Sequence, residues 1–465
     1  MMNRSPKHRM VAAVALVAAV VWLLSACNPQ LARPEVEVSD RYIYGGYFSQ
    51  DTLAIESDWW RIFGDATLDT LVQQALAQNN DLEVALSRIE QARNQLAITR
   101  SGFLPSLALG ISVNGEWDEA EKYQLDYEIA PSLTWEFGMA GKLKHSLGAA
   151  RAAILQSEWA YRGVQLSLAA EVATSYFSLL QYERNLEIAC QSYMLRRESV
   201  ALTDSMFRHG MSSGLDLEQA RSLMFTAAAD VSQYERAVGQ CRLAINTLLG
   251  ETPHEVNDRG VGINLLTDFM PIDIPIGLPS DLLHRRPDVM EAFYALVEAG
   301  EKVGIARAER FPSFSMTLSG GVASDKLKAL FRGMPLVWSG ARSLAQPLFS
   351  FGKLKKSEEL ARETYRQSVL TYRQTIIEAI ADVEKALLGV ESYAVQTEHY
   401  AELVLANADI ARKTRALYDG GLTNYFDLLD AERTLYDSQM QLINLVAQQY
   451  INYVTLFKAL GGGFD

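Results

Sequence analysis

Proline is absent from two long parts of this chain. The 465 residues include 13 prolines, but none lies between residues 132 and 252 or between 348 and 465. Because a proline in a helix interior costs about 3 kcal/mol, its absence permits very long helices. From Gly141 to Phe207 the apolar residues also follow the four-and-three spacing of a heptad repeat. This pattern predicts a helix of about 65 residues, roughly 100 Å in length.

Cysteine is scarce. The chain has three cysteines, and two of them, Cys190 and Cys241, lie in the predicted helical region. We expect them on the two arms of one helical hairpin whose turn lies near residue 212. Their unequal distances from that turn place them roughly 10 Å apart along the helices, too far for a disulfide. Buried free thiols are therefore expected.

Residues that carry out catalysis or bind metals and nucleic acids are also sparse. The six histidines lie far apart, without metal-ligand spacing, and the net charge of −13 disfavours nucleic-acid binding. No nucleophile motif is present, and the glycines at 461–463 lack the strand–loop–helix context of a phosphate-binding loop. We expect no enzymatic activity, no metal site and no nucleic-acid partner.

The only long apolar run lies at the N-terminus. A basic segment at residues 4–9 precedes an apolar stretch at 11–23, which is too short to be a comfortable membrane span. Residues 24–27 form a lipobox, which predicts a signal peptide at 1–26 and a lipid anchor on Cys27, the one covalent group expected. Asn28 favours the outer membrane over the inner one. The alternative is an ordinary signal peptide followed by a chance cysteine.

The rest of the chain is duplicated. The sequence GKLK at 141–144 recurs 211 residues later at 352–355, and Gly210 recurs as Gly421 at the same offset. Upstream the offset is 207 residues. A duplication this long is not a solenoid of short repeats and indicates two similar halves. The predicted organisation is an N-terminal segment at 27–62, a first repeat at 63–250, a linker at 251–275 and a second repeat at 276–465.

Segments flanked by prolines alternate apolar and polar residues with the period of a β-strand. In the second half Phe314, Met316 and Leu318 alternate with serine and threonine, and a further strand is predicted near Ala341 to Phe351. Arg342 leaves the apolar side of that last strand undecided. The apolar positions of the first half are Leu107, Leu109, Ile111, Val113, Tyr123, Leu125, Tyr127, Ile129, Leu133, Trp135 and Phe137.

Two strands per half give four per chain, which cannot close a barrel. Aromatic residues near the strand ends, such as Trp117, Trp338 and Phe349, are typical of the girdles of outer-membrane barrels. The pattern therefore favours a membrane β-barrel built from several chains. The alternative is a pair of hairpins packed on a soluble core.

Several motifs together resemble one family. Residues 278–289, LPSDLLHRRPDV, look like its hallmark segment at the start of the second repeat, and Trp59-Trp60 with residues 63–65 look like the start of the first. Residues 103–106 and 311–313 stand where helices give way to strands. On these motifs the chain resembles the TolC-like outer-membrane efflux factors, in their lipid-anchored branch.

This resemblance implies a mainly α-helical protein with a membrane β-barrel portion. In the family, a homotrimer forms a twelve-stranded barrel that an α-helical barrel continues through the periplasm. The implied partners are outer-membrane lipid, a periplasmic adaptor and an inner-membrane pump of the RND type. The implied function is a passive exit duct for small toxic compounds. A protein or peptide secretion outlet, or a non-conducting adaptor or structural lipoprotein, remains the alternative.

Two glycine-containing turns are the candidate functional sites. Gly210 and Gly421 each end the first helix of a predicted hairpin. Short polar turns, which include Thr423, then lead into the second helix. The resemblance implies that these turns form the periplasmic tip, which contacts the adaptor and constricts the channel.

The resemblance also assigns gate residues. Asp427 and Asp430 match carboxylates that ring the closed entrance, and their spacing of three places them on one helix face. Three chains would then contribute six negative charges, a filter that favours cations. The alternative for each residue is a solvated helix end. The other matched positions are Phe426 for the apolar constriction, Arg433 for a pair across the tip, and Tyr418 with Asp216 for an interhelical hydrogen bond.

Overall fold

The computed structural model describes most of the chain beyond the N-terminal segment. Cys27 and the predicted signal peptide lie outside the described residues, as does most of the predicted linker. The described ranges are 39–46, 57–117, 123–138, 140–253, 276–277, 279–328 and 336–463.

Long helices dominate these residues. Short 3-10 segments, Trp59–Phe63 and Pro279–Asp281, and a single helical turn, Leu282–Arg285, precede helices in the two halves. The main helices are α1 (Ala66–Gln78), α2 (Asn80–Ser101), α3 (Lys142–Arg208), α4 (Gly214–Leu248), α5 (Pro287–Ala308), α6 (Lys353–Asp419) and α7 (Tyr425–Ala459).

The element lengths confirm the duplication. Helices α2 and α5 each have 22 residues, α3 and α6 each have 67, and α4 and α7 each have 35. The two longest helices occupy the proline-free stretches, as the sequence predicted. Cys190 and Cys241 are unpaired, which confirms the predicted free thiols, but both are half-buried rather than buried.

A four-stranded antiparallel sheet joins the two halves. Its strands are β1 (Ser106–Trp117), β2 (Tyr123–Gly138), β3 (Ser313–Ser324) and β4 (Leu336–Ala345), hydrogen-bonded in that order. Two strands per half were predicted, and β2 of the first half pairs directly with β3 of the second. The last strand was misplaced: it begins at Leu336 and ends at Ala345, before the predicted Phe351.

The register gives the sheet one apolar and one polar face. Leu107 pairs with Leu133, and Leu133 with Leu318, so the apolar positions of neighbouring strands coincide. The apolar side chains are mostly half-buried in β2 and are exposed in the outer strands, where Leu107 of β1 is 74% and Trp338 of β4 is 82% exposed. On the opposite face, hydroxyl pairs link β3 to β4, with Ser315 and Ser343 at 2.6 Å and Ser319 and Ser339 at 2.8 Å.

The register also settles the side on which Arg342 lies. Arg342 is paired with Met316, which shares its face with Leu318 and Phe314. The arginine therefore stands on the apolar face, three residues before β4 ends. An arginine in such a position keeps its charge near polar surroundings by extending along the apolar surface.

Pairing between β2 and β3 is interrupted at Ala130 and Pro131, between the pairs Ile129–Val322 and Ser132–Ser319. Proline lacks the N–H that a central strand needs. Gly321 lies opposite, and a Cβ atom there would come within 2.1 Å of the Ile129 carbonyl oxygen. The two strands therefore approach so closely that only glycine fits.

The described residues form two compact units, each drawn from both halves. The first takes residues 87–158 and 291–374 and contains the sheet; the second takes 37–86, 159–290 and 375–465. No helix among the described residues is long and apolar enough to cross a membrane.

The second unit has an aromatic core. Trp59 stacks on Phe457 with ring centroids 5.2 Å apart, and Phe177 stacks on Tyr450 at 4.8 Å. Helix α1 is fixed to this core because Asp65, which caps its first turn, accepts a 2.6 Å hydrogen bond from the Tyr176 hydroxyl. Residues 59–78 are thus an integral part of the helical packing.

The hallmark segment has a structural role in the same unit. Arg286 is buried and donates to the carbonyl oxygens of Ala459, at 3.1 Å, and Ala379, at 3.3 Å. Its guanidinium also pairs with Asp288 at 2.6 Å. Because one side chain binds the backbone of both α6 and α7, it fixes the C-terminal end of α7 to its neighbour.

Candidate functional site: the two hairpin turns

The first tip turn, residues 209–213, reverses the chain between α3 and α4. Gly210 has a φ of 71°, a left-handed conformation that favours glycine. Its N–H donates to the Phe207 carbonyl at 3.0 Å, and the Met211 N–H donates to the Met206 carbonyl at 2.9 Å. These bonds satisfy the last carbonyl groups of α3 and end the helix abruptly.

Helix α4 begins with a reciprocal cap. The Ser213 hydroxyl accepts a 3.1 Å bond from the Asp216 N–H, and the Asp216 carboxylate accepts from the Ser213 N–H at 3.0 Å. The Ser212 hydroxyl donates to the same carboxylate oxygen at 3.0 Å. The backbone and side-chain hydrogen bonds from Ser213 and that from Ser212 lower the pKa of Asp216.

The second tip turn, residues 420–424, repeats this construction 211 residues later. Gly421 has a φ of 69°, and its N–H donates to the Tyr418 carbonyl at 2.9 Å. Asn424 caps α7 by accepting from the Asp427 N–H at 2.9 Å. The Thr423 hydroxyl donates to the Asp427 carboxylate at 2.5 Å. Asp427 is therefore the structural counterpart of Asp216.

Apolar side chains at both turns are open to solvent. Met211 and Leu215 are 68% and 67% exposed, and their counterparts Leu422 and Phe426 are 78% and 64% exposed. Isolated exposed apolar residues are ordinary, but these four recur in pairs at equivalent positions. Phe426, the predicted constriction residue, is thus free to contact something outside its own chain.

The two predicted gate carboxylates, Asp427 and Asp430, are both exposed in the first turns of α7. The charge of Asp430 is partly balanced by Arg433, whose Nη2 atom lies 3.3 Å from the Asp430 Oδ1 atom. Within this chain Arg433 pairs with its own helix, because a spacing of three places the two side chains side by side. A pair across the tip with another chain stays a prediction.

The expected hydrogen bond between Tyr418 and Asp216 is also absent from the described residues. The Asp216 carboxylate oxygen is occupied by Ser212 and Ser213, and the Tyr418 hydroxyl points at the Met206 sulfur, 4.0 Å away. The two residues still interact through charge. Burial raises the pKa of Tyr418, and the negative charges of Asp216 and Asp419 raise it further.

A stronger link between the hairpins lies further from the turns. The Tyr436 hydroxyl on α7 donates to the Asp230 carboxylate on α4 at 3.0 Å. The buried Arg196 of α3 lies over the Tyr436 ring, 5.2 Å from its centroid, and donates to the Leu223 carbonyl at 3.1 Å. These residues could not be identified from the sequence, because nothing in their spacing along the chain reveals contacts between separate helices.

Further contacts hold the second turn in place. Arg415 of α6 forms an ion pair with Glu432 of α7, across the second hairpin. Tyr425 and Leu428 are buried against Ala220 of α4. Burial raises the pKa of Tyr425 to about 12. The turn is therefore packed on one side and exposed on the side that carries Phe426 and the aspartates.

Similarity to known proteins agrees with this architecture. A family model described as outer membrane efflux protein matches residues 71–251 and 278–462, which include both tip turns. The chain belongs to the outer membrane efflux protein family. The expectation drawn from the hallmark motifs is thereby confirmed.

Relatives of this family align along nearly their full length. The probable outer membrane lipoprotein SilC of Salmonella typhimurium is 31% identical over 456 residues, covering 96% of this chain and 97% of SilC. Cation efflux system protein CusC of Escherichia coli is 30% identical, covering 96% and 98%. Toluene efflux pump outer membrane protein TtgC of Pseudomonas putida is 30% identical, covering 96% and 95%.

Solved structures of family members share the fold. The crystal structure of the Campylobacter jejuni CmeC outer membrane channel has a TM-score of 0.87 at 25% identity, covering 94% of this chain and 95% of CmeC. Crystal structures of CusC give a TM-score of 0.83 at 28% identity, with 94% and 100% coverage. The protein is thus an outer-membrane efflux duct, mostly helical with a small antiparallel sheet.

Proposed function

We propose that this family member is the passive outer-membrane exit duct of a tripartite efflux system. Three copies of the chain would form the duct, which receives small toxic compounds from a periplasmic adaptor and an inner-membrane pump. The observation that supports it most is the sheet that joins the two halves and carries one open apolar face. Its two outer edges, on β1 and β4, have no strand partner among the described residues.

Those two edges favour assembly. An exposed strand edge has unpaired N–H and C=O groups, and within a lipid bilayer each such group is costly. Pairing β4 of one chain with β1 of the next satisfies both edges, and three chains then close twelve strands around one axis. The polar face, with its serine pairs, would line the interior, and the apolar face would contact lipid.

Lipid on Cys27 would fix the N-terminus to the same membrane. The lipobox supports this assignment, and the cysteine would precede the described segment that begins at residue 39. Several acyl chains, at about 0.8 kcal/mol per buried methylene, form a durable anchor. The lipid would be the only covalent group that the duct carries.

The tip turns would form the adaptor contact and the gate. Asp427 and Asp430 from three chains would place six carboxylates at the entrance, a filter that favours cations. Phe426, exposed one position before Asp427, would provide the apolar constriction. Selection of cargo would reside in the pump, since relatives of equal similarity are named for cation and for toluene efflux.

The proposal is tested with purified protein in liposomes that hold a small cationic fluorescent dye, which the carboxylate ring would admit, and a large dextran. We expect mass photometry to show trimers. We also expect the liposomes to release the dye and to retain the dextran. Gly321→Ala forces a Cβ atom against the Ile129 carbonyl, so it should abolish both trimer and release. Gly320→Ala is the control, because its Cβ would meet nothing closer than 3.9 Å. Monomers, or an inserted trimer that releases no dye, would refute the duct.

A further inference from the structure

In each half, lysines lie at the start of the long helix that follows the strands. Helix α3 begins with Lys142 and Lys144, and α6 begins with Lys353, Lys355 and Lys356. Neither helix has an acidic residue in its first turn. A helix N-terminus favours negative charge, so cations there act against the helix dipole. A local rule that is broken at equivalent positions in both halves points to a functional use.

Part of this charge is balanced within the chain. Lys142 lies 3.0 Å from Glu309, the residue after the end of α5, and Lys356 lies 2.6 Å from Glu359. Lys144 and Lys353 are exposed and have no carboxylate partner within the described residues. The starts of α3 and α6, where strands are followed by long helices, are here called the strand–helix junction. The junction therefore retains free positive charge in a chain whose net charge is −13.

Exposed apolar residues stand beside these lysines. Between the end of β4 and Lys353, Leu348 is 92%, Phe349 77% and Phe351 91% exposed. Phe351 also has a φ of 48°, a strained backbone conformation for a bulky residue. Both the strained backbone and the exposure of the aromatic ring to water are unfavourable. Aromatic rings are instead enriched between lipid headgroups and acyl chains.

The sheet continues the same surface. Its apolar face ends at the junction, where Phe137 pairs with Phe314 and Phe314 with Leu344. Arg342 lies on this face one row further into the sheet, about 10 Å from the strand end. A guanidinium there can reach toward the junction lysines and away from the apolar band.

We infer that the junction binds anionic phospholipid headgroups of the leaflet on the helical side of the sheet. Lys144 and Lys353 contact the phosphates, Arg342 reaches them from the apolar face, and Phe349 and Phe351 insert at the headgroup level. Polybasic residues beside an apolar segment are the usual signature of such recognition. A solvated charged surface would not need the adjoining exposed aromatic rings.

This inference rests on the proposed function in one respect, that the apolar face of the sheet lies in a membrane. The test uses the full protein in vesicles that mix phosphatidylcholine with phosphatidylglycerol, one of the two lipids carrying brominated acyl chains. Bromine quenches tryptophan fluorescence on contact, and Trp135 lies two residues before Phe137, at the junction end of the sheet. The ratio of quenching gives the preference for phosphatidylglycerol.

Wild type should prefer phosphatidylglycerol about fivefold at low salt, and Lys144→Gln/Lys353→Gln should bring the ratio close to one. The matched control is Arg236→Gln/Lys458→Gln, which removes the same charge from exposed positions on α4 and α7. It should keep the preference, and high salt should remove it from wild type.

Equal quenching of wild type by both lipids, or equal loss of preference in the control variant, would overturn the lipid assignment while leaving the duct intact. Absence of quenching by either lipid would show that the sheet is not in the membrane, and both proposals would fall. Dye release measured on the same samples separates these outcomes, because a duct without lipid preference still conducts.

Discussion

Among single residues, the same types occupy equivalent positions in the two tip turns. Each must end a 67-residue helix and start another within a few residues. Glycine in the left-handed conformation ends the first helix, and a capping side chain with an aspartate three positions later begins the next. Asp216 and Asp427, to which the resemblance gave roles at the gate, thus also hold the turns together, a role that their spacing alone did not reveal.

Replacing Asp216 by alanine should loosen the first tip turn. The change removes the reciprocal cap with Ser213, a loss of about 1 kcal/mol, so amide hydrogen exchange at residues 212–216 should rise roughly fivefold at pH 7. Glu218→Ala is the control, since its exposed pair with Arg221 contributes little.

The pH dependence of this effect has a definite sign. Because the pKa of Asp216 is lowered in the folded state, the cap contributes fully above the ordinary carboxyl pKa and is lost as the pH falls through the lowered value. Wild type and Asp216→Ala should therefore converge in strong acid. A difference that persists there would show that the cap does not depend on the charge of Asp216.

At the scale of elements, helices and strands were easier to foresee than the contacts between them. Absence of proline and the heptad spacing of apolar residues sufficed to predict the long helices, because both features are local in the chain. The bounds of β4 were missed because Arg342 interrupts its apolar face and residues 348–351 continue the alternation past the strand end. The pairing of Tyr436 with Asp230 depends on how helices from different halves align, which no local pattern encodes.

Loss of the Tyr436 hydroxyl should ease opening of the second hairpin. Tyr436→Phe removes the 3.0 Å bond to Asp230 that links α7 to α4, whereas Tyr418→Phe removes only a 4.0 Å contact with a sulfur atom. In planar bilayers the first variant should raise the open probability severalfold, by about 1 kcal/mol, and the second should stay near wild type. If Tyr418→Phe raised the open probability and Tyr436→Phe did not, the link at Tyr418 that the resemblance implied would be the one that holds the hairpin closed.

At the scale of the whole molecule, the duplication is the organising fact. Equal element lengths in the two halves let β2 and β3 pair side by side and give each half one helical hairpin with one tip turn. The sequence predicted this plan and the family to which the chain belongs. It could not predict which compact unit each segment would join, because both units draw on both halves.

The proposed duct conducts and is closed at its tip by a ring of carboxylates. Single-channel conductance of wild type beside Asp427→Asn/Asp430→Asn tests both parts of this proposal. Asparagine keeps the shape of each side chain and one oxygen that can accept a hydrogen bond, and it removes six charges from a trimer. Glu83→Gln/Glu90→Gln, at exposed positions on α2, is the matched control.

Wild type should show small, cation-selective openings, and the Asp427→Asn/Asp430→Asn variant should show larger openings with weaker selectivity, while the control matches wild type. Conductance and selectivity that are identical in all three would contradict the gate. Inserted, intact trimers that never conduct would contradict the duct itself.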